Sequence, residues 1–261
     1  MPAPLFEFFE VVAEELSATD SRVITREDLQ PKDKESALLN ALKNKMGVST
    51  TEEAIALAVK SLEKHFASKG AKLPFEYDPK IGRFTATDRS FLDFVREMSE
   101  IRSIGTRSRD FECRVATWLG KRATGAIHRV GHPRDVKKKS EAFNAHLRGL
   151  GFDRPVLLGK DKDGGFDIIW LLPLGTIPHR PMVSVQCKNG VFNMEAADAS
   201  VGAGSRSFSQ HAGLQPQIHV PCVLFNDYLS PETLTAKQMN YVPLGLSDLA
   251  GMEQLISVEL I

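Results

Sequence analysis

The sequence has little cysteine: three residues in 261, Cys113, Cys187 and Cys222. These form neither an even disulfide framework nor a CxxC or His/Cys set at zinc-ligand spacing, which points to a reducing compartment. Long hydrophobic runs are also missing. No apolar stretch approaches the roughly 18 to 20 residues of a membrane span, and the opening MPAPLFEFFEVVAEEL is acidic where a secretory signal would be basic. The expectation is a soluble, cytoplasmic protein with no membrane partner. Nor is there an internal repeat or a low-complexity tract. An excess of either charge is absent too: 33 basic residues balance 33 acidic ones, a formal net charge of zero that on its face argues against nucleic acid. What remains is an ordinary globular composition, 42% hydrophobic and 25% charged. The length suits one large domain or a main domain with a small helical attachment.

Apolar positions in the first 70 residues recur at helical period. Leu38, Leu39 and Leu42 mark one stripe. A second follows GVSTTEE, where Thr50 with Glu53, or Ser49 with Glu52, makes a capping-box pattern ahead of Ile55, Leu57, Val59 and Leu62. Two helices around Gly47 have the outline of a helix-turn-helix, although neither carries an evident set of base-reading side chains, and packing or dimerisation explains them equally. The Gly- and Pro-bearing stretch KGAKLPFEYDPKIGRF reads as the connection to the main domain. The division expected is therefore a helical region over 1–70 and a main domain over 71–261.

From Asp88 the helical pattern resumes with Phe91, Leu92, Val95, Met98 and Ile101, and after GTRSRD a further helix carries Phe111, Val115, Trp118 and Leu119. A short helix, EAFNAHLRGL, precedes the strand-like runs PVLLG, FDIIWLLPL, PMVSVQCKN and HVPCVLFN, and the segment LGLSDLAGMEQLISVELI reads as a closing helix followed by a last strand. Helices first, apolar strands in the middle and a closing helix predict a mixed α/β core.

Counting charge by segment changes the meaning of the zero total. Residues 102–139 hold eleven basic residues against three acidic ones, a local balance of +8, while residues 1–30 stand at −5 and 223–261 at −4. A concentrated basic segment on an otherwise acidic chain suits a phosphate backbone, and equally a solvated charged loop. His128 and His132 fall within it and read as part of that basic surface, since Gly131 and Pro133 interrupt a helix that would present them together.

Three separated fragments carry the chemistry: RDFECRV around Glu112, GGFDIIW around Asp167, and VSVQCKN around Gln186 and Lys188. Strand alternation puts Val183, Val185 and Cys187 on one face and Ser184, Gln186 and Lys188 on the other. Asp167 opens an apolar run, where a lone carboxylate is expensive unless paired, hydrogen-bonded or bound to a cation. Glu112 lies on the inward side of its helix. Singly, each has a plain structural role: Asp167 can cap a turn, Glu112 can pair with Arg109 or Arg114, Gln186 can be an edge amide and Lys188 a surface lysine.

Taken in order, an acidic residue on a helix, an Asp at a strand start and Gln-x-Lys on the next strand resemble the PD-(D/E)xK nuclease superfamily, in its Q-x-K variant. The resemblance covers residues from about Asp88 onward, with Phe166 in place of the motif's proline and Gln186 in place of its usual Asp or Glu. It implies a restriction-endonuclease-like fold, a central mixed β-sheet flanked by helices. It further implies that Glu112, Asp167 and Gln186 hold Mg²⁺, for which Mn²⁺ can substitute, and that Lys188 orients or activates water. The activity implied is metal-dependent hydrolysis of double-stranded DNA by an endonuclease, as in a restriction or phage-defence system, with a homodimer suited to symmetric cleavage. Arg107, Arg109, Arg129, Arg134, Lys137 and Arg206 are the expected nucleic-acid contacts, Arg206 from the loop GAGSRSFSQH. Because an amide at position 186 removes one negative charge from the metal site, a nucleic-acid-binding protein of this fold without turnover is the alternative. A further reading makes the Thr50–Phe66 helix a DNA reader coupled to a ligand-sensing α/β part.

Overall fold

The computed structural model describes residues 4–29, 35–104, 108–123, 125–129, 141, 145, 167–172, 181–190, 193, 219–229 and 241–250. The chain divides into two compact units, one made of Met1–Ser103 with Leu246–Ile261 and the other of Ile104–Gly245.

The first unit contains α1 (Pro4–Ala18), β1 (Val23–Thr25), α2 (Glu35–Met46), α3 (Thr51–Ser68), β2 (Phe75–Asp78), β3 (Arg83–Ala86) and α4 (Arg89–Ser103). Helix α3 begins where the capping pattern placed it, with the Glu53 backbone N–H donating to Thr50 Oγ1 at 3.3 Å. Gly47 turns the chain between α2 and α3 at φ +69, a conformation that favours glycine. Asp88 caps α4 by accepting from the Phe91 N–H at 3.0 Å, and the expected stripe of Phe91, Leu92, Val95, Met98 and Ile101 is buried. The core is rich in phenylalanine: Phe66 lies 5.3 Å from Phe9 and 6.2 Å from Phe91 between ring centroids, and Phe75 lies 5.8 Å from Phe84. Such tilted and edge-on pairs add to the burial itself.

The segment read as a connection is instead structural. Its residues form β2 and β3, which pair antiparallel with Phe75 opposite Ala86 and Tyr77 opposite Phe84, and β1 adds to β3 to complete a three-stranded sheet in the order β1-β3-β2. Phe75 and Phe84 are buried, so Pro79 and Gly82 mark a hairpin turn rather than a linker. Among the described residues before position 70, the regular elements are the helices α1, α2 and α3 and the short strand β1.

The second unit contains α5 (Ser108–Arg122), β4 (Ala126–Arg129), β5 (Ile168–Leu171), β6 (Met182–Lys188), β7 (His219–Phe225) and β8 (Val242–Leu244). They form a five-stranded mixed sheet in the order β4-β5-β6-β7-β8, antiparallel across β4, β5 and β6 and parallel across β6, β7 and β8. All four residues of β5 are buried, which explains its uninterrupted apolar sequence. Helix α5 packs on β4 and β6, and its Phe111, Val115, Trp118 and Leu119 are buried. The protein is thus mixed α/β, with helices and a mixed sheet. Strands β4 and β8 were not apparent in the sequence, and residues 246–250 are helical as expected of the closing segment. The PVLLG strand and the GAGSRSFSQH loop lie outside the described residues, as does EAFNAHLRGL except for Glu141 and Ala145.

Candidate functional site

Asp167 immediately precedes β5 and is 1% exposed. Its backbone N–H donates to the Val185 carbonyl at 3.0 Å, in line with the β5–β6 ladder. Its side chain then takes over the next rung: Asp167 Oδ2 accepts the Cys187 backbone N–H at 2.6 Å and the Gln186 Nε2 donor at 2.8 Å. A carboxylate thus occupies the point where the backbone ladder ends, secured by two donors. Charge-assisted bonds of this kind offset the cost of burying a carboxylate.

Gln186 therefore meets Asp167 directly, although 19 residues separate them in sequence. Its Oε1 is buried and has no hydrogen-bond partner among the described residues. A buried amide oxygen left in that state is normally satisfied by water or a cation. Lys188 ends β6, half-buried, one alternation step beyond Gln186 on the same face. On the opposite face Val185 and Cys187 are buried and Val183 half-buried; Ser184, on the Gln186 face, is buried as well.

Glu112 is 3% exposed on α5, in keeping with the inward position expected of it. Its charge reaches Cys187. Burial pushes the Cys187 thiol well above its ordinary range, the carboxylates of Asp167 and Glu112 push it the same way, and Lys188 and Arg129 act in the opposite sense. Four charged groups, from α5, the start of β5, the end of β6 and the end of β4, thus share the field of one buried sulfur. Burial also raises Cys222 to about 12. Both buried thiols stay protonated near neutral pH, so neither is a thiolate nucleophile.

Of the expected nucleic-acid contacts, Arg109 is exposed on α5. Arg129 is half-buried, and its Nη1 donates to Cys113 Sγ at 3.2 Å, tying β4 to α5. Arg107, Arg134, Lys137 and Arg206 lie outside the described residues, as do Phe166 and His132. Elsewhere in the basic segment, Arg102 is taken up by an ion pair with Glu10, and Arg122 stacks over Trp118 at 4.0 Å. Sequence reasoning missed the Arg129–Cys113 contact and a pair of amides, Asn189 and Asn226, beyond the ends of β6 and β7. The signal for the latter was a polar residue directly following the apolar run of Cys222, Val223, Leu224 and Phe225, which is buried.

Among the described residues no group of three or more His, Cys, Asp and Glu side chains is gathered as a metal site. The candidate donors include only two carboxylates, Glu112 and Asp167, the third donor being the Gln186 amide. Hard oxygen atoms of this kind suit a hard divalent cation, and the orphaned Gln186 Oε1 fits that role. No family model, no curated protein and no solved structure matches the chain. Among the described residues, no helix is long and apolar enough to cross a membrane.

Proposed function

We propose that this protein is a metal-dependent DNA endonuclease of the PD-(D/E)xK type, with Glu112, Asp167, Gln186 and Lys188 as its working residues. The observation that carries the reading is the direct contact between Asp167 and Gln186 at the end of the ladder, with Lys188 following on the same face. A mixed sheet, preceded by a helix that carries a buried carboxylate and packs on β4 and β6, agrees with the restriction-endonuclease-like fold.

Asp167 and Glu112 would hold Mg²⁺ or Mn²⁺, with Gln186 Oε1 as a neutral third donor. Such an ion supplies Lewis-acid stabilisation of the charge that builds on the phosphoryl and leaving oxygens during phosphodiester hydrolysis. The remaining work belongs to the chain. Gln186 Nε2 fixes the Asp167 carboxylate in one orientation before any ligand arrives. Lys188 orients the attacking water and offsets negative charge developing beside it. The basic segment containing Arg109 and Arg129 contributes attraction for the phosphate backbone, with Arg107, Arg134, Lys137 and Arg206 as further contacts. A homodimer would bring two such sites to the two strands of a duplex, as a restriction or phage-defence role requires.

The second reading, a binding protein without turnover, draws on the amide at position 186. The two readings separate when plasmid is incubated with the protein and Mg²⁺ or Mn²⁺. Nicking or linearisation that EDTA abolishes supports the enzyme; binding in a gel-shift assay without cleavage at any metal concentration overturns it in favour of the second.

A further inference from the structure

Just past the site, the carboxyl ends of the parallel strands β6 and β7 carry a polar arrangement that none of the roles above uses. Asn226 follows β7 and is completely buried, an unusual place for a primary amide. Burying such a group is costly unless its polar atoms are bonded. Two of its donors go to the same target, the end of β6. The Asn226 backbone N–H donates to the Lys188 carbonyl at 2.9 Å, and Asn226 Nδ2 donates to Asn189 Oδ1 at 2.8 Å. The Lys188 carbonyl also accepts the Gly190 N–H at 3.0 Å, a tight bond that turns the chain directly after the lysine.

The consequence for Lys188 is mechanical. Its own residue is held through the carbonyl, and the residue after it through the side chain, both by Asn226. On the preceding side, the Cys187 N–H is held by the Asp167 carboxylate. The backbone carrying Lys188 is therefore fixed on both flanks, by Asp167 on one and Asn226 on the other. This sets the direction of the Cα–Cβ bond and with it the region the ammonium group can sample. An apolar residue in place of Asn226 would pack as well but could not donate to Asn189 Oδ1. The donors of Asn226 are thus accounted for by what they hold.

We propose that Asn226 is a positioning residue for Lys188, acting through Asn189 and the end of β6, and touching neither substrate nor metal. The proposal rests on the nuclease reading for the role of Lys188, although the clamp itself can be tested without any activity. A misplacement of about 1 Å in a catalytic group can cost on the order of a hundredfold in rate, so a clamp of this kind has kinetic value.

The test is the rate of Lys188 acetylation by an amine-reactive ester, read by mass spectrometry on the native full-length protein. Lys121, exposed on α5, serves as the internal reference. Asn226→Ala breaks the side-chain bond from the buried side. Asn189→Ala breaks it from a half-buried position where folding is not at stake. Each is expected to raise Lys188 labelling relative to Lys121 by about tenfold, the ratio that one ordinary hydrogen bond commands. The double variant should rise no further than either single one, because both remove the same contact. Val223→Ala, a buried change within β7 that leaves the strand end alone, should lower stability without altering the ratio. Wild-type labelling of Lys188 in Asn189→Ala, or an equal rise in Val223→Ala, overturns the proposal. Where Mg²⁺-dependent cleavage is present, kcat should fall about tenfold in Asn189→Ala with KM for DNA within about twofold. Absence of cleavage by the wild type counts against the nuclease reading alone, since the labelling ratio still decides the clamp.

Discussion

Replacing Gln186 with glutamate probes the candidate site at its closest contact. The amide Nε2 lies 2.8 Å from Asp167 Oδ2, and in Gln186→Glu a carboxylate oxygen takes its place. Two unit charges about 4 Å apart repel by ~4 kcal/mol at an effective dielectric constant near 20. Protonating the introduced carboxyl at pH 7 instead costs about 3.7 kcal/mol from an ordinary glutamate pKa. The second figure is the smaller, so the carboxyl takes up a proton, and its O–H can then donate to Asp167 as the amide did. The net loss of stability without metal is therefore about 3 to 4 kcal/mol at pH 7, falling to about 1 kcal/mol at pH 5, where proton uptake is nearly free. The sign follows from linkage. The carboxyl has a raised pKa when folded, so its variant is favoured below the unfolded value and loses stability as pH rises through the folded one. A divalent cation removes the repulsion, so Mg²⁺ should restore stability to Gln186→Glu and shift its urea midpoint more than that of the wild type. Urea unfolding at the two pH values, with and without millimolar Mg²⁺, measures all three quantities. A loss that does not depend on pH, or a Mg²⁺ shift no larger than the wild type's, would mean that no carboxylate pair forms between positions 167 and 186.

Other predictions concern the first unit. His65 is held below its ordinary 6.5 chiefly by burial and further by Lys69, against Asp248, and its Nε2 lies 2.8 Å from the buried Ser247 hydroxyl. Folding thus favours the neutral ring, and its contribution is complete above 6.5 and lost as pH falls toward the lowered value. His65→Gln should flatten the fall in urea midpoint between about pH 7.5 and about pH 5.5; an unchanged slope would assign the titration to another group. Phe66, fully buried against Phe9 and Phe91, should cost about 3 to 5 kcal/mol when truncated in Phe66→Ala, read from the urea midpoint. A loss below about 1 kcal/mol would show that the ring cluster collapses to fill the space.

What the sequence made legible was local. Thr50 before an apolar stripe gave α3 its start, and spacings of three and four gave α4 and α5 their buried faces. The runs around Ile168, Val185 and Val223 were apolar enough to stand out as strands. The hairpin of β2 and β3 was hidden because Pro74, Pro79 and Gly82 carry the same signal whether they punctuate a turn or a linker. Strand β4 is four residues long and sits in a segment whose charge dominates its pattern. At the candidate site, the residue types and their order could be read, including the inward position of Glu112. The Asp167–Gln186 bond could not, because it depends on the register of two strands. Asn226 escaped for a similar reason: its value lies in the pairing of β7 with β6, which no local pattern reports.

The proposed activity is hydrolysis of DNA at the site built from Asp167, Gln186 and Lys188 with Glu112. The most direct measurement is the time course of plasmid cleavage in Mg²⁺ by wild type, Asp167→Ala and Lys188→Ala, prepared side by side. The account predicts EDTA-sensitive cleavage by the wild type, reduced by at least about a hundredfold in each variant. Cleavage that survives both substitutions at the wild-type rate, or a folded wild type that never cuts, would contradict it.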